Sequence, residues 1–138
     1  TDAISGKTVL FITTKNLDYI RNVQSIIRIF AVTFLFFSKY DTVFVGFSPQ
    51  LILPFFRRKF RKKYILIDFF ISLYDTFCLD RQKFKPHSVP GHFLHKLDSY
   101  TLALADCVIC DTITHGRYFG EEFRLPSSLF HPLYLQAD

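Results

Sequence analysis

Short, almost uninterrupted apolar runs recur along the chain, and segments of helical or polar character separate them. The runs are TVLFIT (8–13), DTVFVGF (41–47), KYILIDFF (63–70) and DCVIC (106–110). Each is rich in β-formers and shorter than a typical helix, which predicts strands. A strand wetted on one face alternates apolar and polar residues; a strand apolar at nearly every position is covered on both. In NLDYIRNVQSIIRIF (16–30), Leu17, Ile20, Val23, Ile27 and Phe30 recur at helical spacing behind Asn16, a suitable N-cap. AVTFLFFSKY (31–40) continues that helix or starts another. PQLILPFFRRKF (49–60) predicts a helix with proline in its first turn and a kink at Pro54. ISLYDTFCLDRQKFKPHSVPG (71–91) reads as a long polar connection. HFLHKLDSYTLALA (92–105) reads as a helix with Phe93, Leu94, Leu97, Tyr100, Leu102 and Leu104 available for packing. DTITHGRYFGEEF (111–123) predicts a helix capped by Asp111 or Thr112, and SSLFHPLYL (127–135) a last strand. Strands alternating with helices predict an α/β fold. The expectation is one Rossmann-like domain over 1–138, with a parallel sheet of about five strands and helices on both faces.

Composition narrows the function. Of 138 residues, 49% are hydrophobic and 21% charged, which excludes a disordered chain. The net charge of +5 is concentrated in Arg57, Arg58, Lys59, Arg61, Lys62 and Lys63 around Phe60. Outside that cluster the chain is nearly neutral, which disfavours a nucleic-acid groove tracked along the fold. The cluster has two readings: cations at a helix C-terminus in a solvated loop, or a contact with anionic lipid made by residues 57–63 beside Leu51, Ile52, Leu53, Phe55 and Phe56. Three cysteines suit a reducing compartment better than a disulfide scaffold. The longest apolar run, 26–37, is broken by Arg28 and falls short of the about 20 residues a bilayer span needs. A cytoplasmic protein, peripheral on the inner face of the membrane, is expected.

In open parallel sheets, ligands bind outside the carboxyl ends of the strands. The polar residues expected there are Thr14, Lys15 and Asn16, then Phe47 and Ser48, then Asp68, Tyr74 and Asp75, then Asp111, Thr112 and His115. This hydroxyl-rich, partly aromatic set suits a sugar-like ligand. Thr14, Asn16 and Asp111 also fit plain helix capping. Asp68 ends an apolar strand, where a carboxylate needs partners or an altered pKa, and it is the catalytic candidate. Neither G-x-G-x-x-G nor a Walker loop nor G-x-S-x-G is present. Cys107 and Cys110, three apart on a strand, point to opposite faces and read as packing residues. His92, His95 and Asp98 have helical spacing for a metal but lack the H-E-x-x-H pattern, and no metal site is expected.

KYDTVFVGFSPQLILPFFRRKFRKKYILIDFF (39–70) resembles the strand–helix–strand passage of family-4 glycosyltransferases. LDSYTLALADCVICDT (97–112) is similar to their helix ending in Ala-Asp before a strand and a polar turn, and LFHPLYLQAD (129–138) to their closing strand. The resemblance covers about residues 8–138. It implies the N-terminal, acceptor-binding half of a GT-B enzyme, whose C-terminal half holds the nucleotide-sugar donor, usually through E-x7-E. Such enzymes usually retain anomeric configuration and need no metal. Two departures stand out: TTKNLDY (13–19) lacks the glycines frequent after the first strand, and Asp68 stands where many relatives carry His. The only glutamates, Glu121 and Glu122, are adjacent. The donor half is therefore expected in a separate domain or subunit, with no cofactor in this chain. Expected partners are a sugar, lipid-linked glycan or protein acceptor, an anionic membrane surface and that donor half, with no nucleic acid. The alternatives are a non-catalytic Rossmann-like binding or membrane-adaptor module, and the acceptor subunit of a two-chain enzyme.

Overall fold

The computed structural model describes residues 9–13, 40–46 and 48–133. The helix predicted over 16–30 and its continuation lie outside these, as do Thr14, Lys15, Asn16 and Phe47.

The chain is α/β, with an all-parallel sheet flanked by helices. Strands β2 (Thr42–Gly46), β3 (Tyr64–Asp68), β4 (Cys107–Cys110) and β5 (Phe130–Pro132) lie side by side, and the backbone of β1 (Val9–Thr13) pairs with β2 at the edge. Val43 lies opposite Ile65, Ile67 opposite Val108, and Val108 opposite Phe130. Ile65, Leu66 and Ile67 are all buried, so both faces of β3 are covered, as the unbroken apolar run requires. The spatial order β1-β2-β3-β4-β5 steps in one direction. Among the described strands there is accordingly no reversal of order, the feature that opens a ligand crevice in doubly wound sheets.

The helices differ from expectation in two places. Residues 49–60 do not form one kinked helix. Pro49–Leu51 make a single 3-10 turn, further turns follow, and only Arg57–Phe60 are α-helical (α1). Ser48, at φ 55°, enters in the left-handed region. Pro54 cannot donate the bond that would continue a helix through it, and in a helix of four residues Arg57, Arg58 and Lys59 also occupy the first turn, where positive charge is disfavoured and no acid offsets it.

Helix α2 (Val89–Leu104) starts at Ser88, whose hydroxyl accepts from Gly91 N–H, with Pro90 in the first turn. Its inner face is Gly91, Asp98, Thr101 and Leu102. Phe93 and Tyr100, expected to pack, are exposed.

Helix α3 (Ile113–Glu122) is capped by Thr112, whose Oγ1 accepts from His115 N–H at 3.1 Å. The core is aromatic. Phe69, just past β3, meets Phe119 of α3 edge-on at 5.0 Å, and Phe123 packs beside both. Gly116 lets α3 approach β4 and β5; a Cβ there would lie 2.9 Å from Cys110 Sγ and 3.1 Å from Phe130 Cβ.

Candidate functional site

The carboxyl end of β3 runs into a segment braced from within. Phe69 N–H donates to the Ile109 carbonyl at 2.8 Å, extending the sheet by one bond, and its ring drops into the core. Ser72 is then buried and hydrogen-bonded in several directions. Its hydroxyl donates to Asp98 Oδ2 at 2.7 Å and accepts from Asp75 N–H at 3.0 Å, while its carbonyl accepts from Thr76 Oγ1 at 2.8 Å. Asp98 also accepts from Tyr74 N–H at 2.8 Å and, through Oδ1, from Gln50 Nε2 at 2.8 Å. Gln50 reaches on to the Ile71 carbonyl at 3.0 Å. One carboxylate on α2 thus ties the 3-10 turn after β2 to the segment after β3.

The partners of Asp98 in these contacts are all donors, so the ionised form is the one the network accommodates. Burial pushes its carboxyl above the usual carboxylate range; the Tyr74 amide, Gln50 and Ser72 pull it back down in part.

The braced segment leads into a π-helical stretch, Asp75–Asp80. Between it and α3 lies a cavity of about 280 Å³, lined on the polar side by Ser72, Asp75, Thr76, Asp80, His115 and Tyr118. Phe70, Ile71, Leu79 and Phe119 form its apolar walls. Tyr118 donates its phenolic proton to Asp75 Oδ1 at 2.9 Å. Burial, and secondarily the carboxylate it is bonded to, raise the Tyr118 phenol, so the proton stays on the tyrosine. Burial also raises the Asp75 carboxyl; the Tyr118 bond opposes this, and Asp98, Glu122 and Asp80 add to it. Among the described residues only Oδ1 of Asp75 has a hydrogen-bond partner, which leaves Oδ2 to accept from a ligand.

His115 stacks on Phe119 with ring centroids 5.0 Å apart, and its Nδ1 lies 2.6 Å from Asp111 Oδ1. A carboxylate only accepts, so Nδ1 carries the proton and Nε2 is the other polar atom of the ring.

The structure thus brings Asp75 and His115 to one cavity, with Asp111 behind His115 and Thr112 capping the helix that carries it. Asp68 closes β3, half-buried and in register with Ile109, but does not line the cavity. Ser48 is likewise outside the lining. The ring of Tyr74 packs edge-on against His95 at 5.0 Å, so its contribution is the backbone bond to Asp98 rather than a wall. Sequence reasoning missed Ser72, Thr76 and Asp80, which were read as connection, and Tyr118. The last had a signal: it sits three residues after His115, on the same side of α3.

The other suspected motifs resolve into packing. Cys110 is buried and donates to the Thr112 carbonyl, whereas Cys107, half-buried, is hydrogen-bonded to Tyr64. His95 pairs with Glu122 at 3.0 Å and His92 with the Ser88 carbonyl at 3.0 Å, while Asp98 faces inward. Phe60, expected at a lipid surface, is only 1% exposed and belongs to the core; Phe55, at 73%, is the outward aromatic of that segment. Among the described residues no helix is long and apolar enough to cross a membrane. No protein-family model matches the chain, and no curated protein or solved structure matches it either.

Proposed function

We propose that this chain is the acceptor-binding, Rossmann-like half of a retaining GT-B glycosyltransferase, working with a donor-binding domain or subunit that holds the nucleotide-sugar. The carrying observation is the cavity beyond the carboxyl ends of β3 and β4. It combines an acceptor carboxylate (Asp75), hydroxyls (Ser72, Thr76), a histidine and aromatic walls, a mix suited to the alternating polar and apolar surface of a sugar. In this reading Asp75 Oδ2 and His115 Nε2 hold acceptor hydroxyls, and the contribution to rate is positioning the attacking oxygen. Asp68, which closes β3, is the candidate catalytic carboxylate in this reading. Tyr74, Asp111 and Thr112 support the pocket.

The test is an amide-shift titration of the chain with methyl glycosides of common hexoses and N-acetylhexosamines, and in parallel with UDP-glucose. Glycosides should shift resonances of 70–80 and 111–119, and Asp75→Asn should weaken this at least tenfold. UDP-glucose should leave the cavity unmoved, and the chain alone should transfer no sugar. Sugar turnover by these 138 residues, or a cavity that answers only to nucleotide, would overturn the reading.

A further inference from the structure

The opposite end of the sheet has the opposite chemistry. Residues 57–63 immediately precede β3, and Asp106 immediately precedes β4, so they gather at the amino-terminal edge. There a cleft of about 640 Å³ opens, lined by Arg57, Arg58, Arg61 and Lys63 over a floor that includes Leu53, Ile65 and Leu104. Lys63 is already bonded to the Tyr40 carbonyl. The cleft's carboxylate, Asp106, spends Oδ2 on the Ile65 N–H at 2.7 Å. Neither His95–Glu122 nor His115–Asp111 draws on the cleft's three arginines, and no described carboxylate is salt-bridged to Arg57, Arg58 or Arg61.

Beside the cleft is an apolar strip. Val89, Phe93 and Tyr100 fall within one narrow arc of α2, spaced four and seven residues apart, together with Lys96. They are 86%, 64% and 38% exposed. Arg57 joins the two features: its guanidinium lies 5.7 Å from the centre of the Tyr100 ring and also lines the cleft. Phe55, exposed, stands two residues before it. Arginines in a cleft, flanked by outward aromatics with no covering segment among the described residues, match an interface where one end of a side chain is apolar and the other wet.

We infer that this face docks on a bilayer containing anionic phospholipid, with a headgroup phosphate entering the arginine cleft and Phe55, Phe93 and Val89 seated at the acyl boundary. A soluble anion would account for the cleft but not for the strip of exposed apolar residues continuous with it. Because α2 returns from the carboxyl end of β3 to the amino end of β4, the strip runs alongside the sheet. A bilayer on that side leaves the cavity at the carboxyl ends uncovered.

The experiment uses vesicles of phosphatidylcholine alone and with 30% phosphatidylglycerol. The chain contains no Trp, so Phe55→Trp gives a single reporter in an otherwise native background. Its emission should shift to the blue with the anionic vesicles and stay unchanged with the neutral ones. Arg57→Glu/Arg58→Glu/Arg61→Glu, its fold checked by circular dichroism, should weaken sedimentation with anionic vesicles more than tenfold. Phe93→Ser should weaken it severalfold with all charges kept. Inositol hexakisphosphate or heparin at equal charge should compete only partly. The inference is overturned if the emission of the Phe55→Trp variant does not move, if neutral and anionic vesicles bind alike, or if Phe93→Ser has no effect while the soluble polyanion displaces the protein fully. That last pattern would mark a nucleic-acid or soluble-phosphate site. None of these outcomes depends on the cavity binding sugar.

Discussion

Removing the Asp98 carboxylate tests whether the segment after β3 is held by one buried acceptor. In Asp98→Ala, Gln50 Nε2 keeps the Ile71 carbonyl. The Ser72 hydroxyl and the Tyr74 amide lose their acceptor inside the protein. Two orphaned buried donors at about 1–3 kcal/mol each, less the relief of a desolvated carboxylate, give a net loss of about 3 kcal/mol. That is roughly 10 °C in Tm for a chain of this size. Asp98→Asn should cost much less, about 1 kcal/mol. Its oxygen can face Ser72 and Tyr74 while its amide faces Gln50, and Gln50 can turn to offer Oε1, which is buried without a partner among the described residues. Urea unfolding with unchanged m-values measures both costs. Amide exchange should show protection lost first in 71–76, because Asp75 N–H hangs on the Ser72 hydroxyl that Asp98 orients. If Ala costs under about 1 kcal/mol, if Asn costs as much as Ala, or if protection falls evenly across the sheet, Asp98 is not the brace.

Two further outcomes follow from the same geometry. The carboxyls of Asp98 and Asp75 are both raised by burial, so the folded chain holds these protons to higher pH than the unfolded chain does. The stability this contributes is full below the unfolded carboxyl value, near about 4, and is lost as pH rises through the folded value. Asp98→Asn should therefore cost more at pH 4 than at pH 7 in parallel urea titrations, and a penalty that grows with pH would contradict the assignment. Gly116→Ala gains about 1 kcal/mol of helix propensity but drives a methyl against Cys110 Sγ and Phe130 Cβ. Overpacking at about 1–3 kcal/mol should win, and pairing it with Cys110→Ala in a double-mutant cycle should recover part of the loss.

The strands were legible because burial on both faces leaves a mark that needs no tertiary knowledge: β3 reads YILID and buries Ile65, Leu66 and Ile67. Helix α2 was legible in extent but not in orientation. A hydrophobicity ranking turns Phe93 and Tyr100 inward. The fold instead turns Asp98 and Thr101 inward, because a carboxylate that collects several donors can be buried, and Thr101 satisfies its hydroxyl on the Leu97 carbonyl at 2.7 Å. Such satisfaction depends on residues 26 and 48 positions away, Ser72 and Gln50, and no local pattern encodes it. The same reason hid the cavity. Asp75 and Tyr118 are 43 residues apart and meet only after β3 and β4 pair. The failed helix over 49–60 is a local matter, where Pro54 outweighed the apolar periodicity around it.

Helix α2 carries the buried Asp98 on one face and the exposed Val89, Phe93 and Tyr100 on the opposite one, which sharpens what each substitution can report. Asp98 on the inner face fixes Ser72 and through it Asp75, so damage there should reach the cavity. Phe93 on the outer face contacts neither, and its replacement should leave cavity resonances in place while vesicle binding falls. If the proposed acceptor binding and the proposed lipid docking belong to one reaction, the acceptor would be anchored in the same bilayer, and its sugar would reach the carboxyl ends of β3 and β4 along the side that α2 occupies. A lipid-linked acceptor would then outcompete its soluble glycoside in anionic vesicles but not in neutral detergent micelles. Phe93→Ser would abolish that advantage, whereas Asp75→Asn would weaken both acceptors equally.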